Sequence, residues 1–127
     1  MNNTLKTMIK IWNIKKMDWL GYENDERYSY HHLKKKSDGG KTTIENGSIL
    51  HQSTHQYLHT IELYEYDMYL RLNQILKDVN KQRTMTTKEQ LEEIKFILLS
   101  FQRLYEHKEN SRGKLIIKDE YKLVRCK

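Results

Sequence analysis

The sequence predicts an α+β fold: a strand, turn, strand and helix unit over residues 27–62, embedded in a mainly helical small domain. Arg27 to Leu33 alternates in strand fashion, with Tyr28, Tyr30 and His32 on one face and Ser29, His31 and Leu33 on the other. Gly39-Gly40 demands a turn, and Ile49 and Leu50 mark a second short strand beyond it. On either side of this unit apolar residues recur at the helical period.

Taken in order, Leu5, Met8, Ile9, Trp12 and Trp19 share helical spacing, with Lys6, Lys10, Lys15 and Lys16 between them. This predicts a basic amphipathic helix over 4–19 that packs its apolar stripe on the domain, solvates its lysines and ends at Gly21. YENDE follows as an acidic loop, then the two strands. A helix from near Ser53 carries His55 and His59 on one face, since four residues are close to one turn. Ile61, Tyr64, Met68, Leu72, Ile75 and Val79 continue as one apolar stripe. Thr86 with Glu89 reads as a capping box, after which Leu91, Ile94, Leu98, Phe101 and Tyr105 keep the helical period. These two stripes close the core under the unit and make residues 63–107 a helical extension. The C-terminal KLIIKDEYKLV reads equally as a strand or a docking segment. The whole chain, 1–127, is expected to be one domain.

Five of the six histidines lie between positions 31 and 59. Such a concentration points to metal binding or acid/base chemistry. In order they read His31-His32, thirteen residues, Asn46, eight residues, His55, three residues, His59. This pattern resembles the HNH endonuclease motif, in the version where a His pair replaces the more usual Asp-His. Several features carry the likeness over residues 27–62: the His pair at the end of a strand-like segment, GGKTTIEN before the Ile-Leu run, and H-x-x-x-H on the helix that follows.

The resemblance implies a ββα-metal (His-Me finger) fold and a nuclease. Phosphodiester hydrolysis needs an activated water and positive charge to absorb what develops on the phosphate and the 3′ oxygen. By similarity to colicin-type members, His31, His55 and His59 would ligate one divalent metal ion (Mg, Mn, Ni or Zn). His32 would be the general base, and Asn46 would hydrogen-bond the loop between the strands and so orient His32. An imidazole with an ordinary pKa near 6.5 suits a base at neutral pH. Lys34, Lys35, Lys36 and Lys41 flank the strand end that carries it and are candidate contacts to nucleic-acid phosphates. His51 reads as structural, although many relatives carry a zinc-binding Cys near this place, with Thr54 at its partner position. His107 stands alone on a charged helix end.

Composition agrees with this reading without deciding it. There are 23 basic and 17 acidic residues, a formal charge of +6 that favours a polyanionic partner such as DNA. Cys126 is the only cysteine, which excludes a disulfide framework and the paired Cys-x-x-Cys zinc clamp. Packing must do that job. No apolar run approaches the ~20 residues of a membrane span, and the N-terminus lacks a signal peptide's apolar core, so a cytoplasmic protein is expected. The absence of proline and alanine, with Lys, Asn, Ile and Tyr plentiful, suggests an A·T-rich coding sequence of a low-GC bacterium or its phages. Two classes of function follow. One is a metal-dependent HNH-like DNA endonuclease of phages or mobile elements. The other is a non-catalytic protein on the same scaffold that binds nucleic acid or a protein partner, such as a host defence protein. Oligomeric state is not legible.

Overall fold

In the computed structural model, residues 2–112 are described, with side chains to Leu104. KLIIKDEYKLV, Cys126 and the side chains of Tyr105 and His107 lie outside the described residues. Helix α1 (Asn3–Ile11) starts where the Asn2 side-chain oxygen accepts the Leu5 amide at 2.7 Å. It stops well short of residue 19. Asn13 takes a left-handed φ of 55°, and the amides of Asn13 and Ile14 return to the carbonyls of Lys10 and Ile9, a Schellman-type cap. Asn tolerates that conformation, so the helix ends there and not at Gly21. The chain then doubles back, which brings the buried Trp12 and Trp19 rings to 4.9 Å between centroids.

Asp18 fixes this return. Its fully buried carboxylate accepts the amides of Leu20 (3.0 Å) and Tyr22 (3.1 Å) through Oδ1, and that of His51 (3.0 Å) through Oδ2. Burial pushes the carboxyl pKa up, and the His51 and Tyr22 amides pull against that shift. The Trp19 amide also donates to the Ile49 carbonyl at 3.1 Å, so this loop docks along the second strand.

Strands β1 (Tyr28–His32) and β2 (Gly47–His51) form one antiparallel pair, from Tyr28 opposite His51 to His32 opposite Gly47. The register puts His32 at the loop end of the ladder, where the connecting segment begins. Two short 3₁₀ turns, Lys36–Asp38 and Ile44–Asn46, shape that loop. Helix α2 (Gln52–Tyr64) follows β2 directly and packs on both strands. Strand, strand and helix thus fall in the predicted order, in a small mixed α+β protein.

The apolar stripe expected to run unbroken from Ile61 to Val79 is divided at Glu65, whose φ of −141° and ψ of 75° leave the helical region. Helix α3 (Tyr66–Gln82) turns back across α2. One helix from Gln52 to Gln82 would extend on the order of 45 Å. The break instead lets Leu58 and Ile61 of α2 join Leu72, Leu76 and Val79 of α3 in one core. Helix α4 (Lys88–Arg112) adds Ile94, Ile97, Leu98 and Phe101. Its capping box lies one residue later than predicted: Thr87 Oγ1 accepts the Gln90 amide at 3.2 Å and Gln90 Oε1 accepts the Thr87 amide at 2.8 Å. Thr86 instead donates its buried hydroxyl to the Trp19 carbonyl at 2.6 Å.

Two buried asparagines interrupt the apolar face of α3, seven residues apart and so on the same side. Asn80 donates to the carbonyls of Ile44 (2.7 Å) and Gly47 (2.8 Å), holding the end of the loop and the start of β2. Asn73 reaches the adjoining end of β1, described below. An Asn80→Ala substitution would leave both carbonyls without their donor, at a cost of about 1–3 kcal/mol for each one that stays buried. Urea denaturation should show that loss, whereas a midpoint within error of wild type would show that Asn80 does not hold the loop.

Candidate metal centre

His31, at the penultimate position of β1, is buried with 1% of its surface exposed. One turn apart on α2, His55 and His59 face it. Ring centroids are 5.3 Å apart for His31 and His55, 5.6 Å for His31 and His59, and 4.8 Å for His55 and His59. One nitrogen from each ring can be chosen so that all lie within 4.8 Å of one another.

The hydrogen bonds around the rings fix where the protons sit. Asn73 donates its amide to the Leu33 carbonyl at 3.0 Å, so its oxygen faces His31 and accepts Nε2–H at 2.8 Å. That commits His31 to the Nε2–H tautomer and leaves its buried Nδ1 with a lone pair and no hydrogen-bond partner. Ser29 donates its single proton to the Leu50 carbonyl at 2.9 Å, so its oxygen accepts Nδ1–H of His55 at 3.0 Å and Nε2 of His55 stays free to coordinate. Glu62 can only accept, and it takes Nδ1–H of His59 at 2.9 Å. Each imidazole, in its neutral form, therefore has one nitrogen tethered to a fixed acceptor and the other left with a lone pair, the arrangement in which histidines bind metals.

Charge is set to match. Burial pushes His31 down to about 3, against the Asn73 hydrogen bond, and pushes His55 down to about 4, with His59 and His32 adding repulsion. Burial alone would raise the Glu62 carboxyl, but the Lys35 ammonium on one oxygen and His59 on the other outweigh it and hold the carboxyl below its ordinary value. Tyr69 lies beside the cluster. Its ring lies 6.4 Å from both His31 and His59, and burial, then the Glu62 charge, pushes its phenol up to about 12. Three imidazoles around Zn²⁺ at about 2.0–2.1 Å would bring their nitrogens to roughly 3.3 Å, which small side-chain adjustments can reach from the observed spacing.

His32 points the other way along the strand, edge-on to Tyr30 at 4.7 Å, with Nε2 3.1 Å from Thr42 Oγ1. A cleft of about 290 Å³ wraps the strand end and is lined by His31, His32, Lys35, Lys36, His55 and His59. Alternation therefore separates the two rings without separating their access to one space. Burial and then the Lys36 charge lower the His32 pKa below the ordinary value, keeping the ring neutral and able to accept a proton.

Asn46 sits where it ties the loop. Its Oδ1 accepts the Lys34 amide (2.7 Å), its Nδ2 donates to the carbonyls of Lys34 (3.0 Å) and Lys41 (2.9 Å), and its own carbonyl accepts the Leu33 amide (2.9 Å). Gly40 is required in that tie, because a Cβ there would run into the Lys34 carbonyl. Of the lysines, Lys35 and Lys36 line the cleft, with the Lys35 ammonium paired to Glu62. Lys34 opens onto a different cleft, and Lys41 contributes its carbonyl to the loop. Both ring nitrogens of His51 face carbonyls, Glu26 at 3.1 Å and Lys16 at 2.9 Å, and the ring stacks on Tyr28, so His51 braces the acidic loop away from the cluster.

Sequence reasoning missed Ser29, Glu62 and Asn73, the three acceptors that orient the rings. Ser29 shares the strand face of His31, and Glu62 lies three residues after His59, so both had a positional signal. Asn73 was marked only by being polar within an apolar stripe. Set against protein-family models, curated proteins and solved structures, the chain matches none.

The depressed His31 pKa makes the metal-free protein acid-sensitive. The unfolded chain takes up this proton near pH 6.5 and the folded one only near 3. Stability therefore falls as pH drops through that window, by up to about 1.4 kcal/mol per pH unit from this group. His55 adds a second contribution between 6.5 and about 4. Denaturation in chelator at pH 7 and pH 5 should show the loss, and His31→Leu should make it smaller. An undiminished pH dependence in that variant would place its origin elsewhere.

Proposed function

We propose that the chain is a metal-dependent, HNH-like endonuclease of the ββα-metal type that hydrolyses DNA phosphodiester bonds. The observation that carries the reading is the convergence of three imidazoles, each with its proton tethered away and a lone pair left, on a cleft that a fourth, neutral imidazole also lines. The tie made by Asn46 supports it independently, since it gives the loop beside His32 a fixed path.

His31, His55 and His59 would hold the metal ion, which when bound would supply positive charge to the scissile phosphate and the departing 3′ oxygen. His32 takes a proton from the attacking water as that oxygen bonds to phosphorus. The bond from phosphorus to the 3′ oxygen breaks and that oxygen takes a proton from solvent water, leaving a 3′ hydroxyl and a 5′ phosphate. Lys36 favours the neutral form of His32 before the step. Asn73, Ser29 and Glu62 keep the three rings in the tautomers that coordinate, and Lys35 holds Glu62 ionised.

Plasmid nicking with Mg²⁺, Mn²⁺, Ni²⁺ or Zn²⁺ against a chelator control tests the activity, and no cleavage with any of them would refute it. Roles then separate by variant. His32→Ala should reduce cleavage severely and leave metal affinity nearly intact, because it removes a base from the chemical step. His55→Ala should weaken the metal itself, on the order of tenfold or more, as loss of a ligand requires. Calorimetry distinguishes the two, and lost metal binding in the His32 variant would reassign that residue.

Ion preference is a further consequence. Neutral imidazoles favour Zn²⁺, Ni²⁺ or Mn²⁺ over the harder Mg²⁺, which keeps its waters and prefers oxygen ligands. Tight Zn²⁺ binding with poor turnover, and activity with a weaker-binding ion, is the expected pattern. Strong Mg²⁺ binding with no measurable Zn²⁺ binding would contradict the three-histidine set.

A further inference from the structure

The loop tied by Asn46 is a ridge between two clefts. On one side lies the histidine cleft. On the other lies a cleft of about 190 Å³ lined by Leu33, Lys34, Glu45, Asn46, Lys77, Asn80 and Lys81. Three lysines reach this second space: Lys34 from the ridge, and Lys77 and Lys81 from consecutive turns of α3. All three are exposed, and none makes an ion pair among the described residues. The one carboxylate lining the cleft, Glu45, lies 3.4 Å from the Arg83 guanidinium. Asn80 and Asn46, which also line the cleft, spend their amides on backbone carbonyls and are not available to a ligand's acceptors. The cleft thus offers cations and little else that is free.

We propose that this second cleft is a binding site for the phosphate backbone of duplex DNA, with Lys77 and Lys81 as its principal contacts and Lys34 at its inner edge. The inference rests on the nuclease reading and extends it to how the substrate is held away from the reacting bond.

Helix α3 supplies the geometry. Asn73 touches His31, so it marks the metal centre on the helix. Lys77 and Lys81 lie four and eight residues further along, about 6 and 12 Å at 1.5 Å per residue. A DNA strand advances about 3.4 Å along its axis per nucleotide, so those distances correspond to roughly two and four nucleotides from the cut. Asn73 and Asn80 bind the helix to both strands at the loop end of the pair, which fixes this stretch of α3 relative to the histidines. The run Lys34-Lys35-Lys36 then divides across the ridge: Lys34 faces the second cleft while Lys35 and Lys36 face the first. A backbone crossing the ridge meets positive charge on both sides.

Binding of a fluorescein-labelled 20-base-pair duplex, followed by anisotropy in chelator so that nothing is cut, tests this directly. Lys77→Gln with Lys81→Gln should weaken binding at every sequence and flatten the fall of log affinity against log salt by ~0.9 for each lysine lost. Lys88→Gln with Lys95→Gln, which removes the same charge from a different cleft, should keep the wild-type slope. Equal slopes in wild type and the Lys77/Lys81 variant, or an equal drop in the Lys88/Lys95 control, would overturn the proposal. So would a loss confined to a single-stranded RNA probe. If the wild-type protein binds no duplex at all, the nuclease reading itself fails. If it binds and cuts but the Lys77/Lys81 variant is unchanged, only this second site is refuted.

Discussion

The hydrogen bond from His31 Nε2–H to the Asn73 oxygen governs the candidate site. It joins the penultimate residue of the first strand to the middle of α3, and it settles the tautomer of a ring too buried to be charged. A buried imidazole nitrogen without a partner is costly unless something satisfies it, and Nδ1 of His31 is such a nitrogen. Its neighbours are two other rings whose protons are likewise held elsewhere, so their free lone pairs cannot satisfy one another. An electron-pair acceptor between them relieves all three at once. A divalent cation is the simplest such acceptor, which is why the hydrogen-bond pattern says more about the site than the proximity of the rings does.

The helical extension gives the site its stiffness. Helix α3 uses two asparagines, one on each strand at the loop end of the pair, and the Asp18 carboxylate ties the preceding loop to His51. Within the loop, the Tyr30 hydroxyl donates to the Thr43 carbonyl at 2.6 Å and accepts the Thr43 amide at 3.0 Å, adding to the tie made by Asn46. The connecting loop is thereby fixed at both strands and across its middle. His32, at the last paired position of β1, leaves the sheet where that loop begins, and it inherits its orientation from these contacts.

Much of this was legible because periodicity and spacing are local. The strand alternation, the turn at Gly39-Gly40 and the H-x-x-x-H face each depend on a few neighbouring residues. What escaped was decided by tertiary contact. The first helix ends at Asn13 because a left-handed residue there turns Trp19 back into the core, and no period reveals that. The stripe through Ile61 and Val79 is continuous in sequence but bent at Glu65, since both halves must face one core. Asn73 and Asn80 look like defects in an apolar stripe until the carbonyls they serve are known. Lys34, Lys35 and Lys36 are adjacent in sequence, and a ridge of backbone assigns them to different clefts.

Histidine-selective long-range ¹H–¹⁵N NMR on the metal-free protein, followed by Zn²⁺ titration, tests the central claim most directly. The account predicts Nε2–H for His31 and Nδ1–H for His55 and His59, with Zn²⁺ then moving Nδ1 of the first and Nε2 of the other two while His51 stays unchanged. The opposite tautomers at these three rings, or Zn²⁺ shifts centred on His51 in their place, would contradict it.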